Sequence, residues 1–157
     1  MITKDTDPGF KNLIKSFQII NNIEVKAGHF EKNGKSSVRK KGKADNILLA
    51  MVHNTGSPSK KIPARKFTAP AFDKNINKTN NLLDKTINSF LDKRDYLSLE
   101  RNLNLLGKTM QQDIQQEIRD LKEPALKPLT IKRKDSSQPL IDQAEMINFT
   151  DYQIEIK

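Results

Sequence analysis

The chain predicts an α+β fold, a small antiparallel sheet packed against several helices with long basic and Pro-rich loops, and three observations carry the prediction. Two short segments alternate apolar with polar residues: Ile23, Val25 and Ala27 against Glu24 and Lys26, then Tyr152, Ile154 and Ile156 against Asp151, Gln153, Glu155 and Lys157. Such alternation presents one face to a core and the other to water, as a half-buried strand requires. Between them, two long stretches repeat apolar residues at intervals of three and four, the spacing of one helix face. The hydrophobic fraction of 35% and mean hydropathy of -0.70 are low, yet the regular placement argues for a folded domain with polar insertions rather than a disordered chain. A length of 157 residues suits one domain, 1–157, with a modest core. With seven Phe and no Trp, that core should rest mainly on Leu and Ile.

The N-terminal helix falls within residues 1–21: Phe10, Leu13, Ile14 and Phe17 recur at helical spacing, and Asp7-Pro8 suits a cap and first turn. The first strand follows over residues 22–30. Residues 31–43 form a basic loop, with the turn dipeptide Asn33-Gly34 and the crowded charges Lys32, Lys35, Arg39, Lys40, Lys41 and Lys43. Asp45 or Asn46 can cap a helix carrying Ile47, Leu48, Met51 and Val52, which Gly56 ends. Prolines 58 and 63 then disfavour helix, leaving a rigid irregular segment up to Phe67. Phe72, Ile76, Leu83, Ile87 and Phe90 define the first long stripe. Leu99, Leu103, Leu106, Met110, Ile114, Ile118 and Leu121 define the second, the clearest helix in the chain. Gly107 interrupts it at a cost of about 1 kcal/mol relative to Ala, which predicts a close packing contact there. Lys93-Arg94-Asp95-Tyr96 either breaks the two helices or joins them. After Pro124 the chain is expected to run extended, as a Pro-rich arm over residues 122–145. The last strand is the natural antiparallel partner of residues 22–30, and no internal repeat is present.

Without cysteine the chain has no disulfide framework, thiolate metal site or cysteine nucleophile. No run of 18 apolar residues offers a membrane span. Met1-Ile2-Thr3-Lys4-Asp5 lacks the apolar core of a signal peptide, so a soluble protein made in a reducing compartment is expected. The net charge of +9 would attract nucleic acid, anionic membrane or an acidic protein surface. Lysine-rich composition from an A/T-rich genome would give the same balance without any selected partner.

Catalytic signatures are poor. His29 at a strand end and His53 near a helix end fit no metal-ligand spacing. No nucleophile elbow or P-loop occurs, and Gly34, Gly42 and Gly56 are single turn glycines. Asp142, Glu145 and Asp151 could run acid–base chemistry or bind metal, but capping of local amides and exposure to water explain them more simply. The basic loop has no aromatic residue for base stacking, so any nucleic-acid contact would be to backbone and blind to sequence. In Ile62-Pro63-Ala64-Arg65-Lys66-Phe67, Arg65 offers a planar fork for carboxylates. It either pins the domain's own loop or stands at a subunit interface. No enzymatic activity, cofactor or metal is expected.

Three motifs in order point further. Met51-Val52-His53-Asn54-Thr55-Gly56 precedes Ile62-Pro63-Ala64-Arg65-Lys66-Phe67. After a helical middle come Pro124-Ala125-Leu126-Lys127-Pro128-Leu129-Thr130-Ile131-Lys132-Arg133-Lys134 and Pro139-Leu140-Ile141-Asp142. This order resembles the phage tail-completion (head–tail joining) family, in which an I-P-A-R-x-F signature is followed by T-I-x-x-K and P-L-I-D-T-G. The likeness covers residues 23–157. It departs at Gln143-Ala144, where the family has Thr-Gly, and at Asn54, where an acidic residue is usual.

The resemblance implies a virion protein made in the host cytoplasm and assembled at the head–tail junction as a ring, a hexamer. The ring would lie between the tail tube or terminator protein and the head-side connector or stopper, around a channel for DNA, without catalytic activity, cofactor or metal. Arg65 and Phe67 are then expected as interface anchors, and Pro139, Leu140, Ile141 and Asp142 as a docking arm. Lys35, Arg39, Lys40 and Lys41 are expected to face DNA or an acidic ring. The alternatives are a sequence-nonspecific basic nucleic-acid-binding protein, and a tail terminator or minor capsid component.

Overall fold

The apolar periodicities resolve into helices joined by a sheet that ties early chain to late chain. The computed structural model describes residues 8–31, 45–134, 137–140 and 145–157. Helix α1 spans Pro8–Asn21 and strand β1 Ile23–His29. Helix α2 is Asn46–Thr55, α3 is Thr68–Lys93 and α4 is Tyr96–Asp120, with a single 3-10 turn at Pro58–Lys60. Helices α5, Pro128–Lys134, and α6, Glu145–Asn148, lead to β2, Thr150–Ile156. Strands β1 and β2 pair antiparallel from Ile23 opposite Ile156 to His29 opposite Thr150. The predicted α+β class is therefore present: a two-stranded antiparallel sheet packed on helices.

Residues 93–96 break the long helices. Arg94 takes the left-handed conformation with φ 52°, its amide donating to Phe90 O, and the Asp95 carboxylate accepts the Leu97 amide as the cap of α4. The two helices turn back as a hairpin, closed at this end by an edge-to-face contact of Phe90 with Tyr96 at 5.2 Å. Lys74 pairs with Glu117 and Lys78 with Asp113, both at 2.6 Å, so one turn forward on α3 matches one turn back on α4. With the lysines in water, each bridge contributes at most about 1 kcal/mol and serves mainly to hold register.

Helix α4 serves two cores. Near its start, Leu99 and Leu103 pack with Phe90, Ile19, Ile20, Ile23, Val25 and Ile154. Near its end, Ile114 and Ile118 pack with Ala50, Phe67, Ala71, Leu140, Met146 and Ile147. Gly107 lies between these cores under the ring of Tyr152: a Cβ there would fall 3.0 Å or less from three ring atoms. The close packing expected at this glycine is present, and the Tyr152 hydroxyl donates to Asn104 Oδ1 at 3.0 Å one turn earlier.

One expectation is corrected, and one expected helix turns its stripe away from the core. The stripe on α1 makes a helix but does not build the core: Phe10, Ile14 and Phe17 are 52%, 42% and 46% exposed, and Ser16 is the buried residue. The arm after Pro124 is not extended throughout. Pro128 opens α5, a position where its missing amide costs nothing and its fixed φ suits the helix.

His29 ends β1 inside the fold, its ring edge-on to Phe67 at 5.9 Å. Its Nε2 lies 3.0 Å from the Met146 carbonyl, which can only accept, so the proton sits on Nε2. Burial holds its pKa below the ordinary value, partly opposed by the bond to Met146.

Two outcomes follow from this packing. Gly107→Ala should lower stability by about 1–3 kcal/mol in urea unfolding, because overpacking against Tyr152 exceeds the propensity gain; in a Tyr152→Ala background the same change should be neutral or stabilising. For His29 the folded pKa is depressed, so its stabilising contribution is complete above the unfolded pKa near about 6.5 and is lost as pH falls below it. Urea midpoints should drop between neutral and mildly acidic pH, and His29→Gln should flatten that dependence.

Candidate partner-binding site

The motif segments named in the sequence meet at one place. Gly56 ends α2 with φ 81° and its amide donating to Val52 O, and a Cβ there would lie 2.8 Å from the Ala64 nitrogen. Only glycine combines that left-handed backbone with such a close approach. Ser57 and Ile62 then exchange backbone hydrogen bonds at 2.8 and 2.9 Å, making a small hairpin around the 3-10 turn. The Arg65 amide donates to His53 O at 2.7 Å, and Asn54 Oδ1 accepts from the Phe67 and Thr68 amides at 3.1 and 3.4 Å. Asn54 thus caps α3 from outside its own helix. An aspartate at this position could do the same job, since the bonds use only a side-chain oxygen.

Phe67 is 1% exposed and Arg65 5%. Burial alternates along this segment, so Arg65 and Phe67 both turn inward while Lys66 between them stays in water. The guanidinium donates from Nε to Pro124 O at 2.9 Å and from Nη2 to Ala125 O at 3.5 Å, joining the loop before α3 to the segment after α4. Among the described residues no carboxylate forms an ion pair with it. Burial pushes the guanidinium pKa below its ordinary value.

Around Arg65 the two segments enclose an open cavity of about 500 Å3, lined by His53, Lys60, Lys61, Arg65, Lys127 and Pro139 among others. The three lysines are exposed at its rim. The sequence reading passed over this rim, although Lys60 and Lys61 flank the I-P-A-R motif and Lys127 precedes Pro128; nothing in one chain tells that these stretches become neighbours.

The expected anchors are therefore corrected. Arg65 and Phe67 lie inside the subunit, one bonding the chain's own carbonyls and the other filling its core. Pro139 and Leu140 are also buried, Leu140 beside Ile114 and Ile118, so they pack the fold rather than reach out from it. Ile141 and Asp142 lie outside the described residues, as do Lys35, Arg39, Lys40 and Lys41. Among the described residues no group of three or more His, Asp or Glu side chains could hold a metal ion, and no helix is long and apolar enough to cross a membrane.

Comparison of the chain with protein-family models, curated proteins and solved structures finds no match.

Removing the Arg65 side chain should loosen this junction. Arg65→Ala is expected to cost about 1–3 kcal/mol in urea unfolding, since it strands carbonyls and leaves a gap, offset in part by relief of a buried charge. Arg65→Lys, which keeps one donor, should recover part of that loss.

Proposed function

We propose that this chain is a virion structural protein of the phage neck, a subunit of the tail-completion ring that joins the tail tube to the head-side connector and leaves a channel for DNA. Its work is assembly rather than turnover, and the ring is a hexamer. The observation that carries this reading is the order of the three motifs ending at Phe67, Lys134 and Asp142. The convergence of the I-P-A-R-K-F loop with residues 125–130 and Pro139 on one cavity supports it. Exposed apolar residues support it too: Phe10, Ile14 and Phe17 line one face of α1, and Leu48 and Met51 stand open on α2. Apolar area of this kind is a feature of proteins that finish burying themselves against neighbours.

A second reading rests on the net charge of +9, which suits a sequence-nonspecific nucleic-acid binder. It requires tight duplex binding by the free protein that weakens steeply with added salt, whereas a neck subunit should bind duplex weakly or not at all.

Gold-labelled antibody against the chain, viewed on purified phage particles by electron microscopy, is expected to decorate the head–tail junction. Particles bare at the neck, with the protein recovered on DNA, would replace the joining reading by the nucleic-acid one.

A further inference from the structure

Strand β1 has an edge that β2 does not use. The Lys157 amide donates to Asn22 O at 2.7 Å, and with the register of the two strands this fixes the ladder. Alternate pairs bond in an antiparallel sheet, so Glu24 and Lys26 turn their backbone groups to β2. Ile23 and Val25 turn theirs the other way, about 7 Å apart along the strand. Among the described residues the sheet has two strands, and what lies beside this edge is a cavity of about 300 Å3. Ile23 and Val25 line it from β1, Leu83 and Ile87 from α3, and Leu103 and Leu106 from α4. Helix α4 packs against both α3 and β1, so it closes the cavity between them from below.

These two features together select one kind of occupant. The outward groups of a strand edge recognise main chain in extended form, whose own N–H and C=O groups repeat at the same pitch. The lining in turn takes apolar side chains. The buried Thr86 hydroxyl donates to Leu82 O at 2.7 Å, and Glu24, the only charged residue on the described lining, pairs with Lys157 at 2.7 Å. A second copy of this sheet does not fit. Both strands pack on α4, so either one from another copy would bring a helix about 10 Å across into an opening that α3 already walls. We propose that the cavity between β1 and α3 receives an extended segment of a partner protein, apolar at every second residue, which adds to the edge of β1 as a third strand. The site depends on the strand edge and the cavity alone, and not on the neck reading.

Hydrogen exchange followed by 1H–15N NMR on the intact chain tests this directly. In the free protein the Ile23 and Val25 amides should exchange roughly tenfold or more faster than those of Glu24 and Lys26, which the ladder protects. A capped seven-residue peptide alternating Val with Thr is the probe. At a concentration about ten times its Kd it should slow the Ile23 and Val25 amides roughly tenfold. The same peptide N-methylated at every residue keeps its side chains, loses its donors and should not bind. A Val25 amide already as slow as that of Lys26 in the free chain would mean that the chain covers its own edge, and would overturn the site. So would a Val–Thr peptide that moves neither amide. Equal binding of the N-methylated peptide would overturn the third strand and leave a cavity that takes apolar side chains only. The protein is unaltered in every arm, so no outcome depends on a damaged fold, and none is confused with a bare neck in the labelling experiment.

Discussion

The contact of Gly107 with the Tyr152 ring sets the distance between α4 and the sheet, and most of the architecture depends on that distance. A side chain at 107 would lift β2 off the helix. At this separation Asn104 reaches the Tyr152 hydroxyl, Gln111 donates to Thr150 O at 2.6 Å, and Gln115 donates to Ile147 O at 3.1 Å. Three polar residues, spaced along one side of α4, thus bond β2 and α6. The same approach lets a single helix contribute to both cores, with Leu99 and Leu103 on one side of the glycine and Ile114 and Ile118 on the other. A small chain with no Trp and a 35% hydrophobic fraction would struggle to fill two separate cores otherwise.

Where period and burial agree, the fold was legible. The α4 stripe and the alternation in β1 and β2 named their elements, and the pairing of early strand with late strand followed from those two being the half-buried strands. The start of α2 was narrowed to Asp45 or Asn46, of which Asp45 is the cap, and Gly56 marked its end, because capping and left-handed backbone are local chemistry. The α1 stripe was legible as helix but not as surface, since period reports which residues share a face and not whether anything covers it. Helix α5 was missed because a proline breaks a helix interior yet suits its first turn, and spacing alone does not separate the two.

The candidate site was legible in part. Arg65 and Phe67 were expected as interface anchors and instead lie inside the subunit. Nothing local in the sequence marks the alternation of burial at Arg65, Lys66 and Phe67, because the segment belongs to no regular element whose period could be read. Pro139 and Leu140 failed for a related reason, because an apolar triplet bounded by proline reads equally well as an arm and as a core-filling strap. The lysine rim could not be found, as it forms only when residues 60–61 and 127 are brought together by the α3–α4 hairpin.

The pairing of β1 with β2 also imposes an order in time. Lys26 bonds Glu155 across a sequence separation of 129 residues, whereas α3 and α4 are neighbours through a turn of two residues. Local helix pairing closes early and the sheet late, because long-range closure has more chain entropy to overcome. On a ribosome moving at about 5–20 residues per second, roughly 6 to 25 seconds separate the synthesis of β1 from that of its partner. During that interval Ile23, Val25 and the apolar residues of α1 have no strand to lie against. A polar, lysine-rich chain of low mean hydropathy is well suited to waiting in solution until the last strand emerges.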